Sequence, residues 1–470
     1  MRTSRVFGTA AGVIGVVGPT AAQAADASLA IDGSALGLVW VLPFAGLLLS
    51  IALVAPLAPS VWHRHYGKIA ALWALAFAVP FAMRFGWETM WHALVHVAVL
   101  DYVPFIVLLA ALYTAAGSIR LRGTMSGRPI ANMLFLAGGT LLASLVGTTG
   151  ACMLLIEPLL RANAWRDRTT HTWIFFIFLV GNVGGALSPL GDPPLYIGFL
   201  QGVDFFWPTV HLAAPTALVA VVLLAAYWLL DAAAFRKEEP PLPAMASEGG
   251  IDGARNLVVL AAIACTVLLT GLWESNIHLS IAGISVPLQS VVRTGLIAAL
   301  GGLAYVWTAP AVRERNGFTW EPIVEVAKLF AAIFICIVPA LAIIGAGPDG
   351  VAAPLLGLLN AQGQPHDGMY FWVTGILSSV LDNAPTYLLF FNLAGGDAGT
   401  LQTTLATTLA AISAGAVFMG ALTYIGNAPN FMVRSIVLAR GRRMPSFFGY
   451  MAWSCIGLLP LFLLVGWAFF

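Results

Sequence analysis

Long apolar stretches alternate with short polar connections along most of the chain, and this pattern predicts membrane-spanning helices. The stretches are about 20 residues long, which is the length needed to cross a hydrocarbon layer of about 30 Å. The predicted fold class is therefore an all-α, polytopic membrane protein. Ten spans are expected near 37–58, 69–86, 98–118, 172–202, 210–230, 257–272, 291–308, 327–346, 403–433 and 446–468.

Two further apolar stretches, 129–160 and 369–396, do not fit single crossings. Arg128 and Arg161 flank the first stretch, and short cytoplasmic loops hold the excess of Lys and Arg. Both of its ends are thus predicted to be cytoplasmic, with two legs of about 15 residues, each too short to span. This predicts a re-entrant hairpin that turns at 147–150.

The second stretch lies in the range 329–433, which contains no Lys or Arg. We expect a second hairpin that enters from the opposite face and turns at 382–385. Two ordinary helices with unusual loops are the alternative.

The chain also contains an internal repeat. Residues 144–151 resemble 379–386, and residues 186–197 resemble 421–432, with an offset of 235 residues in both cases. Because the two hairpins are predicted to open to opposite sides, the halves form inverted repeats. In transporters of this architecture, paired helix interruptions near the midplane mark the binding site.

The predicted organisation has two repeats and a leader. The first repeat covers 35–234, with a broken helix at 172–202, and the second covers 257–470, with a broken helix at 403–433. A cytoplasmic linker, 235–256, joins them. Residues 1–24 have the pattern of a secretory signal peptide, and an uncleaved first helix is the alternative.

Composition narrows the class of protein further. Of the 470 residues, 60% are hydrophobic and 9% are charged, whereas soluble domains have about 25% charged residues. The net charge of +1 gives no indication of a nucleic-acid partner. We expect no cofactor, and the sequence has no HExxH motif or metal-ligand cluster typical of a membrane enzyme. The expected location is the inner (plasma) membrane of a bacterium.

Two acidic residues, Asp192 and Asp382, lie at the predicted helix interruptions. An aspartate in mid-membrane costs about 2.5 to 3.5 kcal/mol on insertion scales, and such residues usually line ion or proton paths. A carboxylate can bind either Na⁺ or H⁺, which is the simplest basis for exchange. The alternative role for each residue is to cap the following half-helix.

Other polar residues at the same interruptions complete the predicted site. Proline removes a backbone donor and opens the helix, so that freed carbonyls become cation ligands. The further candidates for ion or substrate binding are Asn182, Asn383, Asn427, Asn430, Thr148, Thr149, Thr386, Thr423, Ser188 and Ser379. The residues predicted to break the helices are Gly191, Pro193, Pro194, Pro385, Gly426 and Pro429. Farther from the interruptions, Glu157 is expected to approach Arg161, four residues on.

Residues 184–192 (GGALSPLGD) and 379–385 (SVLDNAP) resemble motifs of the ion transporter superfamily, most closely those of D-type bacterial sodium/proton antiporters. The resemblance covers about 35–435. It implies that Asp192, Asp382 and Asn383 hold Na⁺, and that the protein is a homodimer. The tip of the first hairpin reads Gly147-Thr148-Thr149-Gly150 where those antiporters have an aspartate–asparagine pair, and Asp192 is followed by Pro193-Pro194. These departures suit a related family of proposed citrate transporters.

The predicted function is sodium/proton antiport by alternating access, with rocking or elevator motion of the hairpin-bearing part. The alternative is a cation-coupled symporter of citrate or another organic anion. A membrane-embedded enzyme and a passive channel are rival classes. The expected partners are Na⁺, H⁺ and the lipid bilayer.

Overall fold

A computed structural model describes residues 15–17, 31–123, 126–238, 249–347, 350–361 and 364–470. The α-helices are α1 (Leu42–Leu57), α2 (Pro59–Phe85), α3 (Trp87–Val97), α4 (Val103–Gly117), α5 (Pro129–Val146), α6 (Thr148–Ala162), α7 (Thr170–Leu179), α8 (Pro193–Leu200), α9 (Trp207–Phe235), α10 (Arg255–Leu272), α11 (Leu288–Trp307), α12 (Pro310–Arg315), α13 (Glu321–Gly345), α14 (Ala353–Leu359), α15 (Asp367–Leu381), α16 (Asn383–Leu393), α17 (Ala398–Gln402), α18 (Ala406–Met419), α19 (Ala428–Ala439) and α20 (Phe447–Phe469).

Short strands occur only in the connections of the described residues. They are β1 (Gly15–Val17), β2 (Arg120–Arg122), β3 (Gly250–Asp252), β4 (His278–Ile281), β5 (Ile284–Pro287), β6 (Asn360–Ala361) and β7 (Gln364–Pro365). All pairings are antiparallel, in the order β1-β4-β5, β2-β3 and β6-β7. Apart from β1, the predicted signal peptide lies outside the described residues.

Ten helical segments of the described chain are long and apolar enough to cross a membrane, so the predicted all-α, multi-pass fold is confirmed. Several span boundaries were wrong. The second span begins at Pro59 instead of 69, and the third begins at Trp87 and includes a π-helical turn at Ala98–Tyr102. Pro129–Val146 is itself 18 residues long, so the prediction that both legs of the first hairpin are too short to span was wrong for α5.

Two groups of helices pack against each other. In the first group, which we call the scaffold, α4 packs on α10 and α11, and α13 packs on α2. The second group, the core domain, contains α5–α9 and α15–α20, in which α15 packs on α18 and α9 packs on α5. Helices α4 and α13 of the scaffold contact α6 and α16 of the core domain.

The core domain contains two helical hairpins and two broken helices. Gly147 separates α5 from α6, and Asp382 separates α15 from α16. The broken helices run from α7 to α8 and from α18 to α19, through 3₁₀ turns at Val183–Leu187 and Gly420–Leu422. Each break is followed by prolines in the first turn of the second half-helix, where a missing N–H costs nothing.

Equivalent positions of the two halves have the same local geometry at the 235-residue offset. Gly147 has φ 83° and ψ 148°, and Asp382 has φ 77° and ψ 144°. The Ser188 hydroxyl donates a hydrogen bond to the Ser144 carbonyl, and the Thr423 hydroxyl donates to the Ser379 carbonyl. Each hydroxyl therefore fastens a broken helix to the hairpin of its own half.

The first hairpin and the short helix that follows the second hairpin contact opposite ends of α9. At its beginning, the Trp207 indole donates to the carbonyl of Gln402, in the short helix that follows the second hairpin. Near its end, Asp231 accepts from Asn132 at the start of the first hairpin. At 1.5 Å per residue, these two points are about 36 Å apart along the helix.

A buried polar network holds the base of the first hairpin together. Arg166 pairs with Asp231 at 2.6 Å, and both side chains are inaccessible to solvent. His171 Nε2 lies 2.9 Å from the same carboxylate, and the Tyr227 hydroxyl donates to it at 3.1 Å. Because buried charges are costly unless paired, this network anchors α5, α7 and α9 to one another.

Glu157 lies close enough to Arg161 for an electrostatic interaction, as expected, but its ion pair is with another arginine. Glu157 forms an ion pair with Arg440 at 2.7 Å, and Arg161 donates to the Leu121 carbonyl. Arg440 follows α19 of the second half, whereas Glu157 lies on α6 of the first. Helical spacing favoured the local partner, but the packing of α6 against α19 brings the distant arginine closer.

Candidate functional site

Four half-helices begin near one point in the core domain. Helix α6 begins at Thr148 and α16 at Asn383, at the tips of the hairpins, while α8 and α19 begin after the breaks at Asp192 and Asn427. Helix N-termini carry partial positive charge and unpaired N–H groups. The region therefore combines two aspartates with four helix ends that favour negative charge.

Asp192 is at the centre of this region and is almost completely buried. Its carboxylate accepts hydrogen bonds from the Thr148 hydroxyl at 2.9 Å, the Asn427 amide at 3.0 Å and the Asn383 amide. Its side chain makes no capping bond to α8. These donors come from both hairpin tips and from the other broken helix, so Asp192 joins the two halves. All three donors are neutral.

Asp382 differs from Asp192 in environment and geometry. Its side chain is half-buried and accepts a hydrogen bond from the Ala384 N–H at 3.4 Å, so it caps α16 as well as facing a cavity. Its positive φ is unusual for a residue with a Cβ atom. Backbone conformations of this kind cost about 1 to 3 kcal/mol and concentrate at functional sites.

Asn383 supplies an unpaired acceptor next to Asp192. Its amide nitrogen donates to the Asp192 carboxylate, while its side-chain oxygen is buried and has no hydrogen-bond partner. A buried polar atom without a partner costs about 1 to 3 kcal/mol. A cation bound beside Asp192 would satisfy this oxygen.

Three other asparagine side chains form a chain between the broken helices. The Asn182 amide donates to Asn430 Oδ1 at 2.7 Å, and the Asn427 amide lies 3.3 Å from Asn182 Oδ1. The Asn430 amide donates to the carbonyls of Gly420 and Thr423. The side chains of Asn182 and Asn430 thus bond each other and the backbone of the interrupted segments, whereas Asn427 also donates to Asp192.

The predicted hydroxyl ligands fall into two groups. Thr148 contacts Asp192, and Thr149 lines the cavities described next. The other hydroxyls bond backbone carbonyls: Ser188 and Thr423 those of the hairpins, Ser379 that of Ile376 and Thr386 that of Asp382. The predicted breaks at Gly191, Pro193, Pro194, Gly426 and Pro429 lie at or directly after the helix interruptions, and Pro385 lies in the first turn of α16.

Two cavities adjoin these residues. One lies between α4 of the scaffold and the first hairpin tip, and its lining includes Thr148, Asp192 and Tyr196. The other lies between α13 and the core domain and is lined by a residue from each of the four interruptions: Thr149, Pro193, Asp382 and Asn427. Neither lining includes Lys or Arg.

A small hydrophobic cluster lies next to both cavities. Tyr113 and Ile323 of the scaffold pack against Met153 of the first hairpin, and Met432 of α19 packs against this cluster. Tyr113 lines the first cavity, and Ile323 and Met432 line the second. We call Tyr113, Met153, Ile323 and Met432 the apolar seal, because they close the contact between scaffold and core domain beside the cavities.

The donor atoms at these interruptions are carboxylate and amide oxygens, which are hard ligands suited to a hard cation. Within the described residues, no group of three or more His, Cys, Asp or Glu is placed to hold a metal ion. No sequence pattern indicated Tyr113, Met153, Ile323 or the network around Asp231. Ile323 is far along the chain from both Tyr113 and Met153, and Asp231 is 65 residues from Arg166, so no local pattern connects these groups.

Comparison with known proteins identifies the family. A family described as "Putative citrate transport" matches residues 33–470. The chain belongs to this family. The match includes both hairpins, both broken helices and the scaffold, so the protein is a transporter of the ion and citrate carrier type. No curated protein matches the chain.

Proposed function

We propose that this protein is a secondary active transporter that exchanges Na⁺ for H⁺ across the inner membrane of a bacterium. The supporting observation is the environment of Asp192. Its buried carboxylate accepts three hydrogen bonds from neutral donors, and neither adjoining cavity is lined by a basic residue. An ionised carboxylate in this position costs several kcal/mol. Either a proton or a metal cation neutralises it, and the two compete.

In this mechanism Na⁺ is held by Asp192, Asp382 and the free Asn383 oxygen, with Asn427 and opened backbone carbonyls nearby. Movement of the core domain along the scaffold exposes the ion to either side of the membrane. The two hairpins act as re-entrant elements of inverted repeats, and the protein works as a homodimer. No catalytic residue takes part.

The test is sodium-driven proton flux in proteoliposomes that contain the purified protein and a pH-sensitive dye. Wild type is expected to show flux, and Asp192→Asn to lose at least 90% of it. The matched control is Asp204→Asn, because Asp204 is exposed and lies outside the site. Equal flux in wild type and Asp192→Asn would rule out this mechanism.

The second candidate is cation-coupled symport of citrate or another organic anion. The family match favours it, as do the four helix N-termini, which favour carboxylate groups. Accumulation of labelled citrate that requires an imposed Na⁺ or proton gradient would support it. Proton flux that needs Na⁺ but no citrate would favour antiport.

A further inference from the structure

Arg293 is a buried cation without a counter-charge. It lies in the second turn of α11, in the scaffold, and is only 6% exposed. Its Nε has no hydrogen-bond partner, and its Nη2 is 3.4 Å from the Ser290 hydroxyl, a distance at which a hydrogen bond is weak. Among the described residues, no carboxylate lies within 4 Å of it. An arginine in such a position is expected to have a partner.

Among the described residues around Arg293 there is no paired carboxylate, and other polar atoms are incompletely satisfied. The buried hydroxyl of Tyr196, on α8, interacts with the guanidinium but makes no hydrogen bond of standard geometry. The Gln289 side-chain oxygen, one turn earlier on the same face of α11, is also buried and unpaired. Phe199 lies beneath the guanidinium, with 5.0 Å from Cζ to the ring centroid.

The Arg293 guanidinium and the Tyr196 hydroxyl offer donors on one side of this site, and the Phe199 ring lies on the other. The Gln289 oxygen is an acceptor and does not contribute to binding an anion. Arginine has five N–H donors in a planar fork that matches a carboxylate. The hydroxyl group of Tyr196, next to the Arg293 guanidinium, adds a further donor. Asp101 accepts a hydrogen bond at 3.0 Å from Gln201, the residue that follows α8, and forms no ion pair with Arg293.

The site lies next to the cavity between α4 and the first hairpin tip. Tyr196 lines the cavity that contains Asp192 and Thr148, and it follows Asp192 by four residues, about one helical turn. Arg293 belongs to the scaffold and Tyr196 to the core domain. A ligand bound between them would therefore contact both groups of helices beside the cation site.

We propose that Arg293 and Tyr196 form an anion-binding site that takes a carboxylate group of an organic anion. The guanidinium binds the carboxylate oxygens through two N–H groups, and the Tyr196 hydroxyl donates a third hydrogen bond. The choice of a carboxylate rests on the candidate function of organic-anion symport. The presence of an anion site rests on the unpaired buried charge alone.

The test is equilibrium binding of radiolabelled citrate to the purified full-length chain in lipid nanodiscs, in buffer without Na⁺. Wild type is expected to bind, and Arg293→Gln to bind at least tenfold more weakly. Arg293→Lys is expected to be intermediate, because a lysine offers a point charge in place of a fork. Tyr196→Phe, which keeps the aromatic ring, is expected to weaken binding several-fold.

Matched variants separate this site from the cation site. Arg236→Gln removes an exposed arginine and should leave binding unchanged. Asp192→Asn should keep citrate binding without Na⁺ while it loses Na⁺-dependent flux. Absence of citrate binding by wild type, or equal affinity in wild type, Arg293→Lys and Tyr196→Phe, would overturn the proposal. Displacement of citrate by phosphate or chloride at equal concentration would overturn its assignment to carboxylates.

Discussion

At the scale of single residues, the most informative pair is Gly147 and Asp382, which make equivalent turns at the two hairpin tips. Glycine adopts a positive φ without steric cost, whereas aspartate does not. The tip of the second hairpin therefore has backbone strain at Asp382. It carries a carboxylate at the position where the first hairpin has Gly147. The proposed role of Asp382 in cation binding explains why an aspartate occupies this strained position.

We predict that Asp382→Gly is at least as stable as wild type, and that Asp382→Ala is less stable than Asp382→Gly by about 1 to 2 kcal/mol. Both variants lose the carboxylate, so both should lose sodium-driven proton flux. Thermal unfolding in detergent measures the first effect, and the proteoliposome assay measures the second. Flux at the wild-type rate in Asp382→Gly would show that this carboxylate is not required.

At the scale of secondary-structure elements, each broken helix is tied to its own hairpin by one hydroxyl. Ser188 bonds the carbonyl of Ser144, and Thr423 bonds that of Ser379. Both hydroxyls also accept backbone N–H groups two residues on, from Leu190 and Ile425. Each hydroxyl thus replaces hydrogen bonds that the interrupted helix has lost.

We predict that Ser188→Ala and Thr423→Val each lower the free energy of unfolding by about 1 to 3 kcal/mol, since buried backbone groups lose their partner. The two losses should be similar, because the local geometry is similar. Unfolding in detergent followed by tryptophan fluorescence measures both. As a control, Thr266→Val removes a hydroxyl that bonds its own helix and should cost less than either.

At the scale of the whole molecule, stability depends on the buried ion pair at the base of the first hairpin. We predict that Asp231→Asn destabilises the protein by about 3 to 5 kcal/mol, because Arg166 is left buried without a counter-charge. Asp252 pairs with Arg122 at 3.0 Å but is partly exposed, so Asp252→Asn should cost about 1 kcal/mol or less. Equal melting temperatures of the two variants would contradict this prediction.

Transport by the proposed mechanism requires the core domain to move against the scaffold, and the apolar seal lies between them. In a background without the four native cysteines, we predict that cross-linking Tyr113→Cys to Met153→Cys abolishes transport. Cross-linking Tyr305→Cys to Trp320→Cys should not, since Tyr305 lies on α11 and Trp320 directly precedes α13, both in the scaffold, and their rings are 5.5 Å apart. Full transport after the first cross-link would exclude relative motion at the seal.

The sequence by itself determined the class of fold, because spanning a bilayer requires apolar stretches of a fixed minimum length. It also located the interruptions, since proline and glycine act on their own helix, and the constant offset of two similar segments predicted a repeat. The aspartates were identifiable because a charge within an apolar segment is costly wherever the segment packs.

Tertiary structure alone decided which side chains meet. Asp192 and Asn383 are 191 residues apart, and only the packing of the two halves brings them into contact. The same packing gives Glu157 a distant partner, commits Asn430 to backbone carbonyls, and leaves Arg293 buried beside Tyr196. Helical periodicity specifies which face of a helix is apolar, but it contains no information about the helix that covers this face.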